Sequence, residues 1–508
     1  MKSDNLAKSA LRSEERLVLV EAPAGCGKTF QGALYACDVA PRLKLGRVLI
    51  LTHTHAACDA FASNTKGHSR NLDIRTIDSL IVEIATAYHI SLGIPVDVST
   101  WVRLAPKRYL LIAEKVSKLL RESPIISQSL AERYPVVICD EHQDANEFQE
   151  ALILALHDSG AKVRIFGDPM QRIFPDGGRR DSDLAKQRWT SLTGKANVYE
   201  HLCVPHRWKC GSPALGDWIL QVRDALRAGN KVNLRGNLPA GFEVIVADNE
   251  SKSPAGYALS KQRAKDVYSI EKSYPALLVL AAHKSTVEAV HSFFGRRIPI
   301  WEGHIRESLD GLVESIERDK GDPVKVAQCA IGFISSVATG FSPSAYSTRL
   351  LSEISSGCQG QCTGKPAILQ EMGRILLSRP DYKGVAAFLG RLSELNRTDS
   401  SFRNVHIDYK REFAEAIRIG EYDDVEIGLA ETARRRSYSH ASLPLKAIST
   451  IHKAKGLEGS NVLLVGCDDK HFQNTDEARC KLYVALSRAQ KSLTIVVSAK
   501  NPSPLLEI

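Results

Sequence analysis

The amino-acid sequence predicts an α/β protein built on parallel β-sheets, and three features of the chain support this. Short apolar runs alternate with helical patterns, which is the order of strand–helix–strand units. A glycine-rich turn, APAGCGKT, joins the first run to the first of these helices. A later run, YPVVICD, ends in acidic residues. Since loops at the carboxyl ends of parallel strands bind ligands, these two segments mark the expected site.

The predicted strands are short runs rich in Val, Ile and Leu. In the first half of the chain they cover residues 17–20, 47–52, 73–76, 134–140 and 163–167. In the second half they cover residues 276–281, 445–450, 462–465 and 493–497. Helical patterns lie between them, including one that runs through Ala489, and the segment from about 300 to 437 is mostly helical in pattern.

The length of the chain, 508 residues, is too great for a single hydrophobic core, so we expect more than one domain. The pattern restarts after residue 195. We therefore predict a first domain at 1–195, with a helical insertion at about 80–134. The second domain is predicted at 196–508, with a mostly helical insertion at about 300–440.

Composition excludes several classes of protein. The net charge of +9 is a mild excess, which is compatible with a polyanionic partner. The first residues, MKSDNLAKSALRSEERL, contain no apolar targeting stretch, and no apolar run is long enough to span a membrane. The eleven cysteines stand singly among core-like residues. We therefore expect a cytoplasmic protein with no membrane contact and a reduced interior.

The turn after the first strand has the composition of a phosphate-binding loop. Its backbone N–H groups and the following helix dipole favour negative charge. Lys28 can reach the β- and γ-phosphates, and the Thr29 hydroxyl can ligate Mg²⁺. The alternative is an ordinary glycine-rich turn, and the strict pattern has glycine where this chain has Ala22. The predicted nucleotide-binding residues of the loop are Ala22, Pro23, Ala24, Gly25, Cys26, Gly27, Lys28 and Thr29.

Acidic residues after the strand at 134–140 provide the second half of such a site. Asp140 would hold Mg²⁺ together with Thr29, and Glu141 would orient and deprotonate the attacking water. The alternative is an acid-rich helix start. Gln171 follows the strand at 163–167, where it could contact the γ-phosphate or its water.

Seven motifs occur in an order that resembles superfamily 1 helicases of the UvrD/Rep type. The first half contains APAGCGKT, LTHTHAA, CDEHQD and FGDPMQRIF, and the second contains PHRW, STIHKAKGLEGSNV and KLYVALSRAQ. The last two are the most specific. The resemblance implies two RecA-like domains of a P-loop NTPase that uses ATP, or another NTP, with Mg²⁺. It further implies 3′→5′ movement along DNA.

The resemblance also implies roles for residues that match its motifs. Arg207 and Arg488 would reach from the second domain to the γ-phosphate, whereas the alternative for each is a surface salt bridge. Gln171 would couple the γ-phosphate to the DNA groove. Two further nucleotide-binding residues are Gly456 and Glu458, the latter near the sugar. The implied DNA contacts, mainly to phosphates, are Thr52, Thr54, Thr76 and His452.

Two departures from the family pattern affect specificity. No glutamine stands upstream of Ala22, where relatives read adenine, so selectivity for adenine is open. The segment PDGGRRDSD after Phe174 lacks the tryptophan–arginine pair that relatives place on a DNA base. Trp189 or Trp208 could stack on a base instead, or each could be a core residue.

The leading functional hypothesis is an NTP-driven helicase or translocase that binds single-stranded DNA or DNA ends. The short insertions resemble the helicase subunit of the Gabija anti-phage system, which implies antiviral defence and an OLD-family nuclease partner. The alternative is a nucleotide- and DNA-sensing regulatory subunit of a partner nuclease, with little unwinding of its own. A purely structural nucleotide-binding module fits less well, because both hydrolytic carboxylates and both arginines are present.

Overall fold

The computed structural model describes residues 2–66, 71–103, 106–173, 179–247, 261–303, 306–438 and 443–508. The chain divides into two compact units. The first comprises Met1–Ile94, Leu110–Pro299 and Leu443–Ile508, and the second comprises Pro95–Tyr109 and Ile300–Ser442. Residues 174–178, which include the first four residues of the PDGGRRDSD segment, lie outside the described residues.

The first lobe of the first unit is a parallel β-sheet with strand order β3-β2-β4-β5-β1-β6. Its strands are β1 (Leu17–Glu21), β2 (Val48–Thr52), β3 (Leu72–Thr76), β4 (Val136–Cys139), β5 (Lys162–Gly167) and β6 (Val198–His201). Every residue of β1, β2 and β4 is buried, as expected for strands covered by helices on both faces. In this order β1 lies between β5 and β6, so a neighbouring strand flanks its carboxyl end on each side.

Helices alternate with these strands along the chain, and one of them, α6, belongs to the second unit. They are α1 (Lys2–Leu11), α2 (Lys28–Val39), α3 (His55–Asn64), α4 (Ile77–Ala87), α5 (His89–Leu92), α6 (Val98–Arg103), α7 (Pro106–Glu122), α8 (Pro124–Arg133), α9 (Glu147–Asp158) and α10 (Arg179–Lys195). The fully buried guanidinium of Arg164 donates to the carbonyls of Leu11, Ser13 and Glu15. Because these carbonyls follow α1, Arg164 attaches the end of this helix to β5.

The second lobe is another parallel sheet, with order β12-β9-β13-β14-β8. Its strands and the neighbouring parallel pair are β7 (Val232–Asn233), β8 (Phe242–Ala247), β9 (Leu277–Ala281), β12 (Lys446–Thr450), β13 (Gly459–Cys467), β14 (Ala489–Ser498) and β15 (Leu506–Glu507). Its helices are α11 (Pro213–Arg227), α12 (Lys261–Ser273), α13 (Lys284–Phe293) and α21 (Asp476–Leu486). The prediction of an α/β protein with parallel sheets is confirmed.

The second unit is mainly helical. It contains α6 and the elements β10 (Ala338–Thr339), β11 (His406–Ile407), α14 (Glu307–Asp319), α15 (Pro323–Val337), α16 (Thr348–Ser355), α17 (Lys365–Ser378), α18 (Tyr382–Thr398), α19 (Lys410–Ile419) and α20 (Val425–Tyr438). Its core includes Phe388, Leu389 and Leu392 of α18, all fully buried.

The structure differs from the sequence predictions at three places. Strand β6 pairs with β1, so the first sheet extends beyond residue 195. Strand β8 lies in a segment with no predicted strand. Helix α21 ends at Leu486, and the chain then enters β14 at Ala489, so the helix predicted through Ala489 is too long. Each difference depends on pairing with a distant strand, which local patterns do not contain.

Among the described residues, no helix is both long enough and apolar enough to cross a membrane.

Candidate nucleotide-binding site

The loop between β1 and α2 owes its shape to two glycines. Gly25 and Gly27 have φ values of 72° and 85°, a backbone region that glycine adopts without strain. A side chain at Gly25 would also lie 2.7 Å from the Cβ atom of Arg207. Ala22 has no such requirement: its φ is not positive, and its N–H donates to Gly167 O at 2.9 Å. The missing glycine at position 22 therefore leaves the loop geometry intact.

Lys28 begins α2 and points toward the acidic segment after β4. Its Nζ atom lies 2.8 Å from Oε1 of Glu141, and its side chain is 8% exposed. Although burial lowers the pKa of Lys28, the charges of Glu141 and Asp140 raise it above its ordinary value. Lys28 is therefore a fixed cation at the mouth of the loop.

Asp140 and Thr29 form the adjoining pair. The Thr29 hydroxyl donates to Oδ2 of Asp140 at 3.2 Å. Burial and the negative charge of Glu141 raise the pKa of Asp140. Within the described part of the chain, no three His, Cys, Asp or Glu side chains form a metal cage. One hydroxyl and one carboxylate still suit Mg²⁺, which takes its remaining ligands from phosphates and water.

Glu141 occupies a strained backbone position. Its φ of 54° places a non-glycine residue in the left-handed region, a conformation that is common at functional sites. Burial would raise the pKa of this carboxyl, but Lys28 lowers it below its ordinary value. Gln143 Nε2 lies 2.5 Å from Glu141 Oε2, and Gln143 Oε1 accepts the Asp168 N–H at 3.0 Å. This glutamine, which the sequence analysis did not select, connects Glu141 to the end of β5.

Gln171 is buried beside Asp168. Its side-chain amide donates to Asp168 Oδ2 at 2.9 Å, and its carbonyl accepts from Lys455 Nζ at 2.8 Å. Lys455 also pairs with Asp144, so the segment after β12 contacts both acidic segments of the first lobe.

Arg207 lies directly over the loop. Its N–H donates to Gly25 O at 3.1 Å. Its guanidinium donates to Glu458 Oε1 through Nε at 2.8 Å, and through Nη1 to Ser487 O at 2.6 Å. Arg207, Glu458 and the loop are therefore brought together. Gly456, predicted as a further contact, has a φ of 84° and lies in the turn before Glu458.

Arg488 follows α21 in a turn rather than on a helix, which corrects its predicted position. Its guanidinium donates to Val484 O at 2.9 Å, Leu457 O at 3.1 Å and Ser487 Oγ at 2.8 Å. Burial and the positive charge of Arg207 lower the pKa of Arg488 to about 9. The side chain is 2% exposed, so in this arrangement it is held by its own lobe.

Tyr483 is a contact between the lobes that motif reading did not single out. The Ala24 N–H donates to the Tyr483 hydroxyl at 2.8 Å, and the ring is fully buried. Trp208 is also fully buried, and its Nε1 donates to Ala489 O at 2.6 Å. Trp208 is thus a core residue and offers no exposed face for stacking.

The structure places an acid from α1 beside the loop. Asp4 Oδ2 lies 2.7 Å from His206 Nε2, and the His206 ring lies 3.4 Å from where a Cβ of Gly27 would be. Nothing in the local sequence predicts this proximity, because it depends on how α1 packs against the sheet.

The residues predicted to contact DNA lie at strand ends. Thr52 and Thr76 end β2 and β3 and are register partners, and Thr54 and Thr76 cap helices α3 and α4. Thr52 is 1% exposed, whereas Thr54 is exposed. His452 follows β12, and burial with the charge of Lys481 lowers its pKa to about 4. It is therefore neutral at physiological pH.

This fold and site define a P-loop protein with two α/β lobes. Comparison with known proteins makes the family specific. Residues 7–175 match the model of an AAA domain, and residues 391–500 match the UvrD-like helicase C-terminal domain. The chain is 24% identical over 435 residues to RecBCD enzyme subunit RecB of Chlamydia pneumoniae, covering 79% of this chain. It spans 39% of the length of that relative.

These matches support a superfamily 1 helicase of the UvrD/Rep type. The resemblance read from its motifs is confirmed. The matched domains are those of a DNA helicase and translocase family.

Proposed function

We propose that the protein is a 3′→5′ ATP-driven translocase on single-stranded DNA or DNA ends. The observation that carries this proposal is that Glu141 and Arg207 both make contacts at the phosphate loop. Lys28 pairs with Glu141 at 2.8 Å, and the Arg207 N–H donates to the Gly25 carbonyl of the same loop. The carboxylate proposed as the base thus contacts the lysine of the phosphate loop, and the backbone of a proposed arginine finger contacts the same loop.

The proposed chemistry follows from the charges. Lys28 would exchange Glu141 for the β- and γ-phosphates of the bound nucleotide. Glu141 would then lose the cation that holds its pKa low and become a stronger base for the attacking water. Mg²⁺, held by Thr29 and Asp140, would neutralise phosphate charge. Gln171 would contact the γ-phosphate.

The arginines would act by changing partners. Arg207 would leave Glu458, and Arg488 would leave its neutral acceptors, to meet charge that develops on the γ-phosphate. Glu458 would then be available to the nucleotide sugar. Because both arginines would act from the second lobe, hydrolysis would depend on the angle between the lobes. DNA bound by Thr52, Thr54, Thr76 and His452 would set that angle.

The test is DNA-stimulated turnover of the purified chain, together with unwinding of duplexes that carry a 3′ or a 5′ single-stranded tail. We expect turnover to require single-stranded DNA and unwinding to favour the 3′ tail. Turnover that ignores DNA, or movement from the 5′ tail, contradicts the proposal.

A cytoplasmic regulatory role in antiviral defence is the second candidate. The matched relative is named as a subunit of an enzyme, which supports assembly with a partner, and we propose a nuclease of the OLD family. If the chain hydrolyses NTP without unwinding, and a neighbouring gene encodes such a nuclease, this role is favoured over an autonomous helicase.

A further inference from the structure

A buried ionic cluster lies behind the phosphate loop, on the helix α11. Arg223 Nη2 lies 2.5 Å from Glu21 Oε1 and 2.8 Å from Asp168 Oδ1, and Arg223 Nε lies 3.1 Å from the same Asp168 oxygen. Glu21 ends β1, and Asp168 follows β5 directly. One guanidinium therefore holds the carboxyl ends of two adjacent strands.

The cluster is buried, and Glu21 and Arg223 keep opposite charges there. Glu21 is 1% exposed, Asp168 is fully buried, and Arg223 is 4% exposed. Burial alone would raise the pKa of Glu21, but the charge of Arg223 lowers it, and Asp168 raises the pKa of Arg223. Because burying charged groups has a large desolvation cost, this cluster is expected to add little net stability to the fold.

Asp168 connects this cluster to the catalytic groups. Its Oδ2 atom accepts from Gln171 Nε2, and its N–H donates to Gln143, which in turn contacts Glu141. Oδ2 of Asp168 thus accepts from Gln171, whereas Oδ1 accepts from Arg223 and from the Met170 N–H.

Helix α11 connects the same cluster to the second lobe. A Cβ at Gly216 of α11 would lie 2.9 Å from the Trp208 side chain, so this helix packs closely on Trp208. Trp208 Nε1 donates to Ala489 O, next to Arg488, and Arg207 precedes Trp208. A shift of α11 would therefore displace the backbone next to both arginines.

We propose that Arg223 is a positioning residue that transmits the contact made by Gln171 to helix α11. When the Gln171 amide turns to a γ-phosphate, Oδ2 of Asp168 loses its donor. Arg223 is already bonded to the other oxygen of that carboxylate and moves to serve both. Helix α11 follows, and Trp208 carries the change to the arginines. This inference rests on the proposed function, in which Gln171 contacts the γ-phosphate.

Arg227 offers a matched control. It donates to the same Glu21 oxygen from one turn further along α11, but its side chain is 44% exposed. Arg223→Lys keeps the charge while removing the planar fork that spans two carboxylates. We expect the kcat of DNA-stimulated turnover to fall roughly 10- to 100-fold in Arg223→Lys, as for a small misplacement of catalytic groups, with KM for ATP nearly unchanged. Arg227→Lys should leave both values close to wild type.

A double-mutant cycle separates transmission from structural support. If Arg223 acts through Gln171, Arg223→Lys should cost little further kcat in a Gln171→Ala background. Equal losses in both backgrounds, or a loss that tracks the fall in melting temperature, would overturn the proposal. Should Arg223→Lys fail to fold, the same cycle is run with Asp168→Asn, whose single carbonyl oxygen cannot serve both partners.

The outcomes also distinguish this inference from the function on which it rests. If the wild-type chain hydrolyses ATP with DNA stimulation but the losses in the double-mutant cycle are additive, only this inference is overturned. Wild-type turnover in Gln171→Ala overturns it too, because Gln171 then has no γ-phosphate contact to transmit. A chain without DNA-stimulated turnover removes the proposed function as well.

Discussion

The two lobes hold the proposed catalytic groups in different ways. In the first lobe, Lys28 and Glu141 already face each other as opposite charges, and Thr29 already donates to Asp140. In the second lobe, Arg488 is bonded to neutral acceptors of its own lobe. Arg207 is intermediate, since its backbone touches the loop while its guanidinium pairs with Glu458.

This difference has a physical basis. Groups that bind the ground-state phosphates can be preorganised, because their partner is always the same. An arginine that acts only on transition-state charge must be withdrawn until the lobes adopt the correct angle, or hydrolysis would run without DNA. The first lobe is thus expected to control nucleotide binding, and the second to control turnover.

The most severe loss of turnover should come from changes in the first lobe. Lys28→Ala should abolish turnover and weaken nucleotide binding, because a phosphate charge loses its ammonium partner. Glu141→Gln should bind nucleotide normally and lose roughly 10²–10⁴-fold in turnover. Nucleotide affinity measured beside turnover tests both variants. Normal turnover in Glu141→Gln would show that another residue is the base.

Arg488 should show the opposite division between binding and turnover. Arg488→Ala should leave nucleotide binding nearly intact and lower DNA-stimulated turnover by roughly 10³-fold. Arg488→Lys should rescue little, because an ammonium lacks the planar pair of donors. If affinity falls in proportion to turnover, Arg488 belongs to ground-state binding and the contrast between lobes is lost.

Nucleotide preference should be weak. This chain has no glutamine upstream of Ala22, where relatives read adenine, and the side chain that the structure places beside the loop is Asp4. An ionised Asp4 can only accept hydrogen bonds, whereas a glutamine both donates and accepts. We expect turnover of ATP, GTP and CTP to agree within roughly tenfold, the scale of one net hydrogen bond. Asp4→Ala is the matched variant. A strong preference for ATP in the wild type, unchanged by Asp4→Ala, would mean that a different residue reads the base.

The pH dependence of stability should carry the signature of His452. Its pKa is about 4 in the folded chain against an ordinary 6.5, so the unfolded chain binds more protons between these values. The part of the unfolding free energy that depends on a neutral His452 is therefore fully present above pH 6.5 and is lost as the pH falls toward 4. Unfolding free energy measured from pH 7 to 5 should fall more steeply for wild type than for His452→Gln. Parallel curves would place His452 in a more exposed environment.

The smallest effect concerns salt. Since Thr54 and the neutral His452 are expected to contact DNA phosphates without carrying charge, nearby lysines should supply the electrostatic part of binding. Each phosphate neutralised on a single strand contributes a log–log slope of about −0.7. Binding titrations at several salt concentrations measure this slope. A flat dependence would indicate stacking, and Trp189 is then the tryptophan to replace, since Trp208 is buried.

Local patterns in the sequence are enough to predict the α/β class, the phosphate loop and the order of motifs. These are local properties: strand periodicity, glycines at positive φ, and short runs such as GKT and DE. The sequence could also place Lys28 next to a strand end, because such loops always follow a strand.

Contacts between groups far apart in the chain depend on how the elements pack. Edge strands β6 and β8, the turn that carries Arg488, the Asp4–His206 contact and the Arg223 cluster all join residues far apart in the chain. Their energies come from packing and from buried charge pairing, and neither has a periodic signal in sequence. The phosphate loop can therefore be recognised from its sequence. The contacts that the arginines and acids around it make can be found only from the fold.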